Sequence, residues 1–323
     1  MRLPKFEYAE PNSIEEASSI LLADEKARLL AGGTDLLVNM KHRVERPSVL
    51  VNIKRIEGLD TIKRDSGGLH IGPLASLKKI SQDPLIVEKA PVLAQAAASV
   101  GSYHHQVMGT LGGNICQQNR CKYFNQSQWW RSARETCFKA GGELCHVVNQ
   151  KEICYSSYCG DVAPALMALG ARVLLKSREG SREADLESLF SGNGQAPLTL
   201  SPGEILSEVV VPEDSLQGSS RYVKFANRES IDFPIVGMAF WQSAGSRDYR
   251  IAFTAVDRAP VRARQAESFL RDKSLTEEAI EEAVALAYKE AKPVKSSLYS
   301  PAYKRRLMGI LLRQVLAQGK VNA

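Results

Sequence analysis

All six cysteines of this 323-residue chain fall between Cys116 and Cys159, and the rest of the chain holds none. Thiolates act as nucleophiles, as disulfide partners or as soft metal ligands, and the redox compartment decides which. The opening "MRLPKFEYAEPNS" has no apolar signal core. The most apolar stretch, "VAPALMALGARVLL", is short and broken by Pro164, Gly170 and Arg172. A cytoplasmic protein that spans no membrane is therefore expected, in which clustered thiols read as metal ligands before disulfides. Four of them would suit an iron–sulfur cluster or tetrahedral zinc. His146, beside Cys145, is either a further zinc ligand or a surface residue.

Two glycine turns form the second constellation. "LLAGGTDLL" sets Gly32 and Gly33 after an apolar run, with Thr34 and Asp35 beginning the next segment. "GTLGGN" repeats the arrangement at 109–114, with Thr110 and Asn114 as side-chain donors. Glycine lets backbone N–H groups approach a phosphate closely. Neither turn is a Rossmann G-x-G-x-x-G or a P-loop, and two such turns suit a diphosphate better than one phosphate.

The elements that must carry these turns alternate. Ser13 and Glu16 form a capping box before the helix "IEEASSILLAD"; "PSVLVNI" is a strand bounded by Pro47. "GGLHIGPLASLKKISQD" gives a strand, a turn and a helix, "APVLAQAAASVGS" a small-residue helix, and "DVAPALMALG" and "ARVLLKS" a helix and a strand. Beyond about residue 180, "EILSEVVVP", "SRYVKFANR", "PIVGMAFWQSAG" and "YRIAFTAVDR" follow one another as strands, which points to an antiparallel sheet. Two helices close the chain, the second capped by Ser300 with Pro301 in its first turn. An α+β protein results, with a boundary expected in the charged "KSREGSREAD". Hydrophobic residues at 44% and charged residues at 24% are ordinary for a packed globular protein. The net charge of +6 comes from dispersed Lys and Arg, so no nucleic-acid tract is indicated.

"LLAGGTDLLVNMK", "GTLGGNI", "GDVAPALMALGA", "GEILSEVVVP" and "YVKFANRESIDFPIVG" occur in order along nearly the whole chain. Together they resemble the FAD-binding medium subunits of the xanthine dehydrogenase and carbon monoxide dehydrogenase family of molybdenum hydroxylases. The resemblance implies a two-part FAD-binding domain of the vanillyl-alcohol-oxidase (PCMH) type at 1–178. A small C-terminal domain of antiparallel sheet and helices would follow at 179–323. It implies that Leu29, Leu30, Ala31, Gly32, Gly33, Thr34, Asp35 and Leu36 wrap the pyrophosphate. Thr110, Leu111, Gly112, Gly113 and Asn114 would form the second phosphate and ribityl loop, with Gly101 nearby. Asp161 would meet the ribityl or phosphate region, Leu206 would pack on the dinucleotide, and Lys224 would approach the isoalloxazine. Read singly, Leu206 is a core residue, Lys224 a solvated strand residue and Asp161 a helix cap.

Relatives pass from the "GGN" turn to the "D-x-x-P-A-L" helix in a handful of residues, whereas 46 separate Asn114 from Asp161 here. The insertion, about 117–158, is long for a loop without its own stabiliser. Trp129 and Trp130 are its main apolar mass, so a metal site would supply the missing ordering energy. Cys116 and Cys159 sit at its stems. Cys121, Cys137, Cys145 and Cys154 lie inside, with 15, 7 and 8 residues between them, a spacing that does not choose the metal. The flavoprotein context favours a [4Fe–4S] cluster over zinc. Within the family, such an insertion resembles a reductive branch that removes a phenolic hydroxyl from an aryl-CoA. A ferredoxin-like donor, a molybdopterin-bearing large subunit and a [2Fe–2S] small subunit are then the implied partners, in a dimer of heterotrimers. The alternatives are the medium subunit of another molybdenum hydroxylase, a self-contained flavin oxidoreductase with a zinc-stapled lid, and a non-enzymatic zinc module.

Overall fold

Ser13 Oγ accepts the Glu16 N–H at 3.1 Å, and the Glu16 carboxylate reaches back to the Asn12 N–H at 2.9 Å. The expected reciprocal cap thus forms, one residue wider than the standard box. In this computed structural model, which describes residues 2–271 and 273–319, the cap starts α1 (Ile14–Ala23) between β1 (Glu7–Ala9) and β2 (Arg28–Leu30). After α2 (Leu36–Lys41) comes β3 (Val49–Asn52), and the three strands pair in parallel in the order β1-β3-β2. Ile14 and Ala17 of α1 pack on Val51 and Ile53 to form this small core.

A five-stranded antiparallel sheet makes the second layer. Its strands β4 (Ile62–Asp65) and β5 (Gly68–Ile71) precede a run of short helices. These are α3 (Leu77–Gln82), α4 (Pro84–Lys89), α5 (Pro91–Ala98), α6 (Tyr103–Met108), α7 (Leu111–Ile115), α8 (Gln128–Ser132) and α9 (Val162–Ala168). Strands β6 (Arg172–Ser177), β7 (Gly180–Asp185) and β8 (Ile205–Pro212) complete the order β4-β5-β8-β6-β7. Between Leu174 and Leu175 the β6–β8 register shifts, and Ser207 Oγ donates to Leu174 O at 2.9 Å. Such a bulge breaks the alternation that sends neighbouring residues to opposite faces. Ahead of it the alternation is regular: Ile205 packs into the small parallel-sheet core and Leu206 into the larger one, and both border one cavity.

The segment 179–212, expected in the second domain, belongs to this sheet. "KSREGSREAD" is the β6–β7 hairpin, charged because β7 is an exposed edge strand rather than because a domain ends there. The chain changes sheets only after Gln217, and we place the domain boundary there.

Beyond it, β9 (Ser219–Phe225), β10 (Val236–Gln242), β11 (Tyr249–Thr254) and β12 (Val261–Arg262) form an antiparallel sheet ordered β12-β11-β10-β9. Val236, Met238 and Phe240 face α10 (Arg264–Leu270), α11 (Glu277–Glu290) and α12 (Pro301–Gly319). Ala239 and Trp241 face the core of the first domain, with Ala252 of β11 beside them. Burial on both faces explains why β10 reads as a continuous apolar run. Among the described residues no helix is long and apolar enough to cross a membrane.

Candidate functional site

The two glycine segments, whose Gly-Gly pairs at 32–33 and 112–113 are 80 residues apart in sequence, meet in space. A Cβ on Gly32 would collide with the Met108 carbonyl, so only glycine lets these backbones pass. Gly33 adopts φ +72°, the left-handed region, and turns the chain into α2. The second segment is anchored by the Leu111 N–H to Ala75 O at 3.0 Å and the Gly112 N–H to Pro73 O at 2.8 Å. It is a helix start rather than a turn. Thr110 Oγ1 accepts the Gly113 N–H at 3.1 Å, and Leu111 and Ile115 are drawn into the core.

Two adjoining cavities open between the segments. The larger, about 340 Å³, is lined by Leu29, Ala31, Gly32, Gly33, Thr34, Asp35, Leu36, Thr110, Gly112, Gly113 and Leu206. The smaller, about 150 Å³, shares Thr34, Asp35, Thr110 and Gly113 and adds Gly101, Asn114 and Asp161. Leu30, Leu111 and Lys224 line neither. The larger volume falls within the roughly 300–1,000 Å³ of ordinary cofactor sites.

Behind the smaller cavity lies a buried polar knot. Asn114 Oδ1 accepts the Val162 N–H at 3.1 Å and so caps α9, the role a sequence reading offers Asp161. Asp161 makes no such cap; it takes the Tyr222 hydroxyl at 2.8 Å and the Lys224 ammonium at 3.2 Å. Lys224 also donates to Ser99 O at 2.8 Å and Asp232 O at 3.0 Å. It therefore reaches the cavity through Asp161. Burial pushes the Asp161 carboxyl up, against the pull of Lys224 and the Tyr222 hydroxyl.

Several further wall residues had no flavin role assigned from the sequence, although Ile231, Asp232 and Phe233 lie within "YVKFANRESIDFPIVG". Arg120 pairs with Asp35, stacks on Phe233 with 4.8 Å to the ring centroid, and leaves its buried Nε without a hydrogen-bond partner. Asp232 Oδ2 is likewise buried without a hydrogen bond. Ile231, at φ +57°, donates its N–H to Gly101 O at 2.8 Å, a strained conformation for a β-branched residue. His105 lines the same wall and pairs with Ser102 Oγ at 2.8 Å. Contacts between loops this far apart leave no local pattern to read. The glycine-only approach, the joined cavities and the buried Arg120 Nε without a hydrogen-bond partner fit a dinucleotide.

Both stem cysteines stand in these walls, Cys116 in the larger cavity and Cys159 in the smaller. Burial pushes the Cys116 thiol up to about 12, and it raises Cys159 too, against Lys304 and Arg120. All six cysteines are free thiols.

The inner four come together elsewhere. Cys121, Cys137, Cys145 and Cys154 line one small cavity, with Phe124, Leu144, Lys139 and His146. Short bridges place them: Cys137 against Leu144, and Cys145 against Gln150, whose carbonyl accepts the Cys145 N–H at 2.8 Å. Cys121 donates its N–H to Asn125 Oδ1 at 2.9 Å, and Cys154 O accepts the Gly194 N–H at 3.1 Å. Burial pushes Cys121 up to about 11 and raises Cys154, so a metal would have to displace thiol protons. Among the described residues no group of three His, Cys, Asp or Glu side chains stands in metal-ligating geometry. The thiols converge without closing a polyhedron. By donor type alone they would suit a cluster or zinc, but as arranged here they are not a ligand set.

Two expectations about the insertion change. Trp129 is 81% exposed, and the buried apolar mass is Phe124 and Leu144. His146 is no bare surface residue, since it pairs with Glu135 O at 2.7 Å and faces the thiol cavity. The insertion is tied to its surroundings by polar bonds. Asn119 Nδ2 donates to Arg258 O at 2.7 Å as well as, within the insertion, to Ser156 O at 2.9 Å, and the Lys122 N–H donates to Ser296 O at 2.9 Å.

Residues 4–214 match the family profile described as FAD binding domain in molybdopterin dehydrogenase. Residues 221–318 match the CO dehydrogenase flavoprotein C-terminal domain. The chain is 26% identical to the nicotinate dehydrogenase FAD-subunit of Eubacterium barkeri, covering 93% of this chain and 91% of that one. It is 31% identical to the aldehyde oxidoreductase FAD-binding subunit of Escherichia coli over 82% of this chain and 86% of the relative. The fold superposes on the reconstituted CO dehydrogenase from Oligotropha carboxidovorans with a TM-score of 0.81 at 23% identity, covering all of both chains.

Proposed function

Since this chain belongs to the FAD-binding subunits of the molybdenum hydroxylase family, we propose that it is the FAD- and [4Fe–4S]-binding electron-transfer subunit of a 4-hydroxybenzoyl-CoA reductase. It would pass electrons from a low-potential, ferredoxin-like donor towards partner [2Fe–2S] centres and a molybdenum site, for reductive dehydroxylation to benzoyl-CoA. The observation that carries this reading is the convergence of four inserted thiols on one cavity in a chain that also holds the two glycine segments.

Bound FAD supplies one- and two-electron redox chemistry, and a cluster supplies one-electron transfer. The chain's own residues would do the rest. Leu29–Leu36 and Thr110–Asn114 would hold the diphosphate by close backbone approach. Asp161 and Gly101 would border the ribityl chain, and Leu206 would pack on the dinucleotide. Lys224 would fix Asp161 and so act on the flavin at one remove. Cys121, Cys137, Cys145 and Cys154 would ligate the cluster. The exposed Trp129, with Arg46 and Arg134 also exposed, supports an acidic donor at the insertion.

Relatives named as an FAD-subunit and as a medium chain support action within an assembly that includes a large molybdopterin subunit. Names such as nicotinate dehydrogenase and nicotine 6-hydroxylase medium subunit favour a second reading, the medium subunit of another molybdenum hydroxylase. The visible spectrum and metal content of anaerobically purified protein separate the two. Flavin bands with broad iron–sulfur absorption and four iron atoms per flavin are expected; flavin with zinc and no iron would end the reductase reading.

A further inference from the structure

The insertion sends one cation into the wall of the flavin cavity. Arg120 lies just inside its first stem, and its backbone exchanges two hydrogen bonds with Ser157 near the second. The Arg120 N–H donates to Ser157 O at 2.8 Å, and the Ser157 N–H to Arg120 O at 2.9 Å. The two stems are thereby closed on each other, and the Arg120 side chain leaves from a fixed point. It lines the smaller cavity, where no other Lys or Arg among the described residues does. There Nη2 takes Asp35 Oδ1, and the guanidinium carbon lies 4.8 Å from the centroid of the Phe233 ring.

Asp35 does not use up that guanidinium. Its Oδ1 also accepts from Asn39 Nδ2 at 3.2 Å, and its Oδ2 from the Gln118 N–H at 3.2 Å. The contact with Arg120 is therefore single-ended, not the two-pronged pairing of an uncontested carboxylate and guanidinium. Among the described residues it is the only hydrogen bond of the guanidinium, and Nε is buried without an acceptor. A buried donor left unmet is costly, and this one stands at the wall of a ligand cavity. The glycine segments that would hold the diphosphate line the larger cavity, so the smaller one, with Gly101 and Asp161, would take the ring end.

Resting on the FAD site of the reading above and not on its cluster, we propose that Arg120 is a flavin-binding residue supplied by the insertion, one that donates to an acceptor at the ring end of the cofactor and raises its reduction potential. Each electron taken up adds negative charge at that end until a proton follows. A fixed cation in a wall of low dielectric favours the more negative state. The insertion is then coupled to the flavin through Arg120 whatever its thiols bind.

The test compares the full chain with Arg120→Met, Arg120→Gln and Arg120→Lys. Flavin affinity is read from fluorescence quenching on addition of FAD, and the flavin midpoint from dithionite titration followed by absorbance. Arg120→Met should raise the flavin dissociation constant about 10–100-fold, the loss of one hydrogen bond from a charged donor, and lower the midpoint. Arg120→Gln keeps a donor without the charge; it should lower the midpoint too, and it carries that reading where the Met variant does not fold. Arg120→Lys should return the midpoint to the wild-type value. An unmoved midpoint in the Met and Gln variants, with or without weakened binding, would overturn the proposal, because Arg120 would then only brace Asp35. So would an Arg120→Lys midpoint as low as that of Arg120→Met, since shape and not charge would then be at work. Wild-type protein that takes up no flavin would instead overturn the flavin site itself.

Discussion

The glycine cradle and the cysteine insertion adjoin each other and are held together by different means. In the cradle, regular elements do the positioning. β2 and α2 deliver the first segment, α6 and α7 the second, and the buried Leu111 and Ile115 lock it to the core. In the insertion the regular structure is one five-residue helix and one 3-10 turn. Side-chain amides, cations and carbonyls do the work instead, as with Asn119, Lys139 and Arg131, whose Nη1 donates to Gln126 O at 2.9 Å. Buried apolar surface makes a region self-sufficient, whereas polar bonds exchanged for water add little net stability each. The cradle should therefore hold its shape unaided, and the insertion should depend on what its thiols bind.

That contrast can be broken most sharply at the thiols. Replacing any one of Cys121, Cys137, Cys145 or Cys154 by Ser should abolish bound iron while flavin stays stoichiometric. Cys116→Ser and Cys159→Ser should retain iron. Loss of flavin together with iron from the inner variants would show that the two regions are one folding unit.

The next effect belongs to the cradle side. Lys224→Met leaves the buried Asp161 carboxylate with Tyr222 but without its cation, at side-chain exposures of 4% for Asp161 and 11% for Lys224 in the wild type. Breaking a buried pair costs about 3–5 kcal/mol, to be read from denaturant unfolding at neutral pH. Because burial raises the Asp161 pKa above 3.8, its neutral form favours folding below that value. That contribution disappears as pH rises through the folded-state pKa. The Lys224→Met deficit should accordingly shrink on acidification, and a deficit independent of pH would assign the loss to packing.

Gly33→Val should cost about 1–3 kcal/mol in strain and lower flavin occupancy by about 10–100-fold, with an unchanged far-UV circular dichroism spectrum. Stoichiometric flavin in that variant would remove the first segment from the site. Trp129→Ala marks the small end. At 81% exposure, its stability should stay within about 0.5 kcal/mol of wild type. Reduction by an acidic donor protein, followed in stopped flow, should slow while reduction by dithionite does not.

Local chemistry made much of this legible. Ser13, Ser300 and Pro301 announced helix starts because caps act within one turn, and Gly32 and Gly33 announced a close approach because no other residue permits it. The β-rich runs after residue 200 gave strands, since β-branched and aromatic residues suit a pleated surface. The clustering of six cysteines was visible by position alone. What the sequence could not determine depends on partners distant along the chain. The β6–β7 hairpin looked like a linker because an edge strand is as polar as a loop, and only its pairing through β6 to β8 keeps it in the first domain. Asn114 took the cap of α9 and released Asp161 to Tyr222 and Lys224, an exchange decided by a 48-residue separation that folding closes. Arg120 became a cavity wall by reaching back 85 residues to Asp35. Caps, turns and patterning are set within a few residues, but a desolvated polar group takes whichever partner the tertiary fold brings within reach, and that choice is made only when the chain has closed.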